Sequence, residues 1–376
     1  MKAVIAIDSF KGSLTSLQAG NAVKEALLKT DCNSEALIFP LADGGEGTVD
    51  ALYEGLGGKI KEIEVTGPIF EKVKAKYCIL PDDKTAVIEM AAAAGLNLVP
   101  ENKRNPTKTT TYGVGELIKD AIDSGCKDFI IGIGGSATND GGIGMLCALG
   151  YEFKDKNGAY ITCNGEGLGK LSYISDKNVL PEIKNCKFRI ACDVNNPLCG
   201  ENGCSFVFAP QKGATEEDVL KMDLWLKNYS EIAKSISKKV DAEFPGAGAA
   251  GGLGFAFLTF LNGKLESGID IIIDSINIEE AIRNCDIVIT GEGRLDSQTV
   301  MGKAPVGIAK IAKKYNKKVI AFSGIIGNGS EICNEHGIDA FFSIIRTITT
   351  EKEAMKTDNA YKNLFDTAYQ VFRLLK

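Results

Sequence analysis

The chain has 376 residues and a formal net charge of −6, and that acidic balance argues against a broad nucleic-acid-binding surface. No apolar run approaches the roughly 20 residues that a membrane-spanning helix needs. The hydrophobic fraction of 44% is that of an ordinary globular protein with material for two domains.

The first residues, Met1 to Ile7, enter a strand pattern directly and carry no leader-like cleavage site, so a cytoplasmic protein is expected. Eleven cysteines occur without a C-x-x-C pair. The spacing of Cys186, Cys192, Cys199 and Cys204 fits no zinc template, and reduced thiols are expected throughout. The single histidine, His336, closes a surface-helix pattern. Ser-His-Asp and Cys-His catalysis would therefore both have to rest on His336, which reads as structural.

In chain order, Val4 to Ile7 is a strand ending on Asp8, followed by the loop Ser9-Phe10-Lys11-Gly12-Ser13. Thr15 or Ser16 can cap a helix running to about Lys29. Asp8 and Lys11 thus sit at the carboxyl end of a strand beside a helix start, a place suited to an anion. A second strand, Ala36 to Phe39, leads into Asp43-Gly44-Gly45-Glu46-Gly47-Thr48, where Asp43 and Glu46 among glycines can meet a cation or a substrate hydroxyl. After Gly58 the pattern alternates with period two over residues 59–66 and 72–80, which predicts antiparallel strands. Thr66-Gly67-Pro68 is the candidate domain boundary.

A strand at Phe129 to Ile131 runs into Gly132-Ile133-Gly134-Gly135-Ser136-Ala137-Thr138-Asn139-Asp140-Gly141-Gly142. Its opening imitates a dinucleotide fingerprint, but the loop continues where a helix should begin. Its amides, with the Ser136 and Thr138 hydroxyls, form a candidate phosphate nest. Gly246-x-Gly248-x-x-Gly251 is a second imitation, since Pro245 stands where a strand is required. No Walker motif occurs, because Lys303 is followed by Ala304. Further strands are expected at Arg189 to Cys192, ending on Asp193, then at Ser205 to Phe208 and at Ile269 to Ile273. A long amphipathic helix spans residues 216–240 and carries Trp225 as core packing. The run Ile287-Val288-Ile289 reads as a buried strand stopped by Gly291 and Gly293, with Glu292, Arg294 and Asp296 just beyond and Lys303 before the next helix. Carboxylates, an arginine and a lysine among glycines suit a phosphate and its metal ion.

The strand–helix rhythm after residue 285 matches that of the first segment. The predicted fold is α/β: a doubly wound Rossmann-like domain built from both chain ends, residues 1–66 and 285–376, with residues 67–284 inserted as a second α/β domain containing a mixed sheet.

Taken together, these stretches resemble the bacterial glycerate kinase family, type 1. The resemblance is carried by Asp8-Ser-Phe-Lys-Gly12, Ala42-Asp-Gly-Gly-Glu-Gly-Thr48, Gly134-Gly-Ser-Ala-Thr138 with Asp140-Gly-Gly142, and Asp193-Val-Asn195 with Pro197-Leu198. Pro210-Gln-Lys-Gly213 and Gly291-Glu-Gly-Arg294 with Asp296, Gln298 and Gly302-Lys303 complete it. It implies ATP-dependent phosphorylation of D-glycerate, to 2-phosphoglycerate in most members and 3-phosphoglycerate in some, in an active site between two α/β domains. ATP and Mg²⁺ are the implied cofactors, and a monomer or homodimer is expected, without nucleic-acid or membrane partners.

For that chemistry Lys11, Arg294, Asp193 and Asp296 are the candidate catalytic residues. Asp193 and Asp296 are the candidate metal ligands and share the base role between them. Asp8, Asp43, Gly44, Gly45, Glu46, Ser136, Thr138, Lys212, Glu292 and Lys303 are the candidate substrate or phosphate contacts. Two rival readings stand beside this one: a nicotinamide- or flavin-binding oxidoreductase using the Gly132 loop, and a non-catalytic sugar-acid- or nucleotide-binding protein.

Overall fold

The structure is a computed structural model that describes residues 1–42, 44–300 and 302–376. The chain divides into two compact units. One comprises Met1–Asp43, Asp50–Gly57 and Ile269–Lys376; the other comprises Gly44–Val49 and Gly58–Gly268.

In the first unit the strands are β1 (Lys2–Ile7), β2 (Glu35–Ile38), and, from the other end of the chain, the strands Ile287–Leu295, Lys318–Ile326 and Ala340–Ser343. In the second they are β3 (Lys59–Thr66), β4 (Lys72–Ile79), β5 (Thr85–Glu89), β6 (Asp128–Gly132), β9 (Lys187–Ala191) and β10 (Lys264–Glu266), with a small hairpin of β7 (Glu152–Lys154) and β8 (Tyr173–Ser175). The three late strands of the first unit are β11, β12 and β13 in chain order.

The first unit's sheet is parallel, in the order β13-β12-β11-β1-β2. Renumbered within the unit this is the doubly wound order 2-1-3-4-5, whose switch point lies between β1 and β11. Apolar side chains occupy both faces. Ala3, Ile5, Ile7, Ile287, Ile289 and Phe322 join the core beneath the helices Ser16–Thr30 and Thr357–Leu375. The alternate residues Val4, Ala6 and Val288 are equally buried, and the helix Ala304–Lys314 packs on β1, β11 and β12. The first helix begins where its sequence predicts. Thr15 is its N-cap, in a reciprocal capping box with Gln18. Ser16 Oγ donates to the Ile7 carbonyl at 2.5 Å and accepts from Leu41 N–H at 2.8 Å, which ties the helix start to the end of β1.

Several local expectations are corrected. Gly291 and Gly293 do not stop β11, which continues to Leu295 paired with β12 through Leu295 and Ile326. Glu292 and Arg294 are therefore strand residues projecting beyond the end of β1. Ile269 to Ile273 lies in the helix Gly268–Ile276, and Ser205 to Phe208 in the helix Cys204–Phe208. Short apolar runs do not distinguish the two states. The boundary expected at 66/67 falls elsewhere, because β3 pairs along its whole length with β4, and residues 269–284 belong with the first unit. Cys147 and Cys163 form a disulfide, against the expectation of free thiols throughout.

The second unit's sheet is mixed, in the order β10-β9-β6-β5-β4-β3, with β4 antiparallel to both β3 and β5 and the remaining pairs parallel. Phe129 on β6 stacks on Phe188 of β9 at 4.9 Å between ring centres, within a core that also holds Tyr77, Ile131, Tyr229 and Phe257. Trp225 packs partly buried against this core, on the helix Glu216–Ala233. The helix Ala249–Phe260 contains a left-handed break at Ala250, Gly251 and Gly252. No helix among the described residues is long and apolar enough to cross a membrane.

Candidate active site

In the first unit a cavity of about 690 Å³ opens at the carboxyl ends of the parallel strands. Its polar wall is the switch point itself: Asp8 and Lys11 follow β1, Glu292 and Arg294 project from β11, and Lys303 precedes the helix Ala304–Lys314. Parallel strands leave the ends of β1 and β11 side by side, and their connections depart to opposite faces, so the crevice between them is open to a ligand.

Each polar group is held. Asp8 is buried and accepts the Ser9 N–H at 2.6 Å. Glu292 is 7% exposed, accepts the Thr299 hydroxyl at 2.6 Å, and pairs with Lys303 Nζ at 3.4 Å. Burial pushes the Glu292 carboxyl above its ordinary value, against the pull of Thr299 and Lys303. Arg294 is exposed and donates through Nε to Asp296 Oδ2 at 3.0 Å, while Asp296 Oδ1 accepts the Gln298 N–H. Asp296 does not line the cavity; it orients the arginine that does. The arrangement lines one cavity with three cations, suited to an oxyanion, and with the carboxylates of Asp8 and Glu292.

In the second unit the expected residues gather around the ends of β6 and β9. The turn beginning at Gly44 lies directly on Gly132: a Cβ at Gly132 would run into the Gly44 carbonyl, and one at Gly44, where φ is +78°, into Ala191. The glycine that imitates a dinucleotide fingerprint thus admits another stretch of backbone. Val49 N–H donates to Glu89 Oε1 at 2.8 Å and holds the far end of the same turn. Gly45 is half-buried and Glu46 exposed. Asp43 lies outside the described residues. Asp193, two residues past the end of β9, is exposed, and its Oδ1 accepts the Gly268 N–H at 3.1 Å.

Ser136, Thr138 and Lys212 do meet, but inside the protein. Lys212 is 2% exposed and donates to Ser136 Oγ at 2.6 Å and to the Thr138 carbonyl at 2.7 Å. Burial pulls its ammonium down to about 8. Thr138 is fully buried, and its hydroxyl has no hydrogen-bond partner. Lys212 and Thr138 therefore brace the glycine loop from behind. Asp140 completes the brace and was not singled out as a site residue in the sequence. Fully buried, it accepts from Thr111 N–H and Thr111 Oγ1, each at 2.8 Å, and from the amides of Gly142 and Gly144. Its placement between Asn139 and two glycines was the available signal. His336 is structural: Nδ1 meets the Ile332 carbonyl at 2.9 Å.

Among the described residues no group of three or more His, Cys, Asp or Glu side chains is arranged to hold a metal ion. The donor set is nevertheless that of a magnesium ion held by one or two carboxylates and by substrate phosphates, since Asp8 and Glu292 both face the cavity.

A parallel α/β sheet with cations and carboxylates on its switch-point crevice defines a protein that handles an anionic, phosphate-bearing ligand. The glycerate kinase family model matches residues 3–376. A glycerate 2-kinase of Escherichia coli (strain K12) is 47% identical over 97% of this chain and 95% of its own length. A glycerate kinase of Haemophilus influenzae is 46% identical, over 100% of this chain and 99% of the relative. A crystal structure described as glycerate kinase 2 from Salmonella typhimurium LT2 superposes with a TM-score of 0.90 at 44% identity, over 100% of this chain and 98% of that one. The chain belongs to the glycerate kinase family, and by that membership it is a phosphotransferase.

Proposed function

We propose that this protein transfers the γ-phosphoryl group of ATP to the 2-hydroxyl of D-glycerate, giving 2-phosphoglycerate and ADP. The observation that carries the reading is the convergence of Lys11, Arg294 and Lys303 with Asp8 and Glu292 on one switch-point cavity. The 2-position follows the activity in the name of the Escherichia coli relative.

Phosphoryl transfer asks little covalent chemistry of a protein; it asks for positioning and for charge placed where charge develops. Lys11 and Lys303 take the phosphate oxygens. Arg294, held through Asp296, offers its fork to the migrating phosphoryl group or to the glycerate carboxylate. Asp193 is assigned to the acceptor hydroxyl, as base or orienting group. Magnesium, when bound, neutralises phosphate charge; Asp8 and Glu292 would hold it, and Asp296 is engaged elsewhere. The braced loop of Ser136 to Asp140 presents backbone amides, with Lys212 behind it.

The test is ATP consumption by the purified protein with and without D-glycerate, the phosphorylated carbon being identified by NMR. D-Glycerate should stimulate turnover and the product should carry phosphate on carbon 2. Turnover indifferent to D-glycerate would sink the proposal, and phosphate on carbon 3 would overturn its regiochemistry alone.

A further inference from the structure

The switch-point cavity has a second lobe that phosphate chemistry leaves unexplained. Beyond Arg294 its wall becomes apolar: Phe10, Ile325, Ile344, Ile345, Ala354 and Met355. Three of these carry large side chains left open to solvent, Ile325 at 50%, Ile345 at 37% and Met355 at 38%. The lobe lies over the carboxyl ends of β12 and β13, where Arg294 and Ile325 are cross-strand neighbours at the junction of the two halves. Its outer wall is fastened to the polar half. Thr357 Oγ1 donates to the Ser13 carbonyl at 3.0 Å, and a Cβ on Gly12 would lie 2.9 Å from Met355 Cε, so Met355 covers the loop that carries Lys11.

A cavity of about 690 Å³ falls within the roughly 300–1,000 Å³ that receives drug-sized ligands, and a three-carbon hydroxy acid cannot fill it. Glycerate is polar at every carbon and gains nothing from an aliphatic wall. A ligand suited to both halves joins a flat, weakly polar ring to a polyanion, and adenosine triphosphate has that form. We infer that this cavity is the nucleotide site of the protein, with the adenine ring in the lobe of Ile325, Ile344, Ile345 and Met355 and the triphosphate directed toward Lys11 and Lys303. The inference rests on the kinase reading for the identity of the ligand. The aliphatic rim supplies the affinity of the base through burial, as apolar pockets do.

The tests are Ile345→Asp, which charges the lobe, and Ala354→Trp, which fills it, with inorganic tripolyphosphate as a competitor that lacks the base. Each variant should raise the KM for ATP about tenfold or more, as expected from losing much of an apolar contact area. The KM for D-glycerate and inhibition by tripolyphosphate should stay near wild type. In the unaltered protein, 8-azidoadenosine triphosphate should label peptides from residues 344–360 on irradiation, a readout that depends neither on the folding of a variant nor on catalysis. An unchanged KM for ATP in both folded variants overturns the inference. So does a rise confined to the KM for D-glycerate, labelling elsewhere alone, or a changed sedimentation state with nucleotide affinity intact, which would mark the lobe as a contact between copies. If D-glycerate fails to stimulate ATP turnover while the label still falls in residues 344–360, the kinase reading fails and the nucleotide site stands.

Discussion

Lys212→Met removes a charge that burial makes costly. At neutral pH the wild-type ammonium makes two hydrogen bonds, to Ser136 Oγ and the Thr138 carbonyl, each worth about 1.5–3 kcal/mol when the donor is charged. Against this stands the desolvation that lowers the group from 10.5 to about 8, a cost of about 3 kcal/mol at about 1.4 kcal/mol per pH unit. The two nearly offset, so at pH 7 the variant should lose no more than about 3 kcal/mol. The pH dependence is sharper. Between about 8 and 10.5 the unfolded chain holds the lysine proton and the folded chain has released it, so stability rises with pH across that window. Wild type should therefore gain about 3 kcal/mol on the variant over this range. Trp225 is the only tryptophan and packs against the core of the same unit. Urea unfolding followed by its fluorescence at pH 7, 8, 9 and 10 makes the comparison, and titrations shared by both proteins cancel. Stability curves that stay parallel from pH 7 to 10 would refute the claim that Lys212 is desolvated.

Lys303→Met should lower kcat/KM about 100-fold or more, as removal of a donor aimed at developing charge does; because its pair with Glu292 is partly exposed, unfolding free energy should fall by about 1 kcal/mol at most. Asp193→Asn keeps an acceptor for the Gly268 N–H, so turnover should collapse while the unfolding midpoint holds; normal turnover would remove Asp193 from the reaction. Gly132→Ala puts a methyl group against the Gly44 carbonyl and should destabilise the larger unit by about 1–3 kcal/mol, read from the Trp225 transition.

The framework was legible where local and global signals agree. Val4 to Ile7 and Ile287 to Ile289 are buried on both faces, and such strands appear in sequence as unbroken apolar runs. Thr15 and Gln18 announce the first helix by a box whose two hydrogen bonds are local. Ile269 to Ile273 deceived because four isoleucines in a run of five residues satisfy strand and helix alike. The length of β11 escaped notice because its last residues are held by β12, whose pairing at Leu295 no local pattern reveals. The switch-point acids and cations were visible as chemistry. What could not be read was depth: Pro210-Gln211-Lys212-Gly213 has the composition of a surface turn, yet a tight turn delivers Lys212 beneath the glycine loop.

The placement of β1 bears on how the molecule comes into being. β1 is an interior strand whose neighbour β11 lies more than 280 residues later, so a ribosome must release nearly the whole polypeptide before that partner exists. The unit of Gly44–Val49 and Gly58–Gly268 lies wholly upstream of β11 and can organise during translation, while Ala3 to Ile7 remain apolar and half-paired. Stalled nascent chains ending near residue 310 should yield protease-resistant cores that begin no earlier than residue 44. Lys11, which lines the switch-point cavity, is among the first residues synthesised and among the last to find its setting, because β11, which carries the facing Glu292 and Arg294, comes so late.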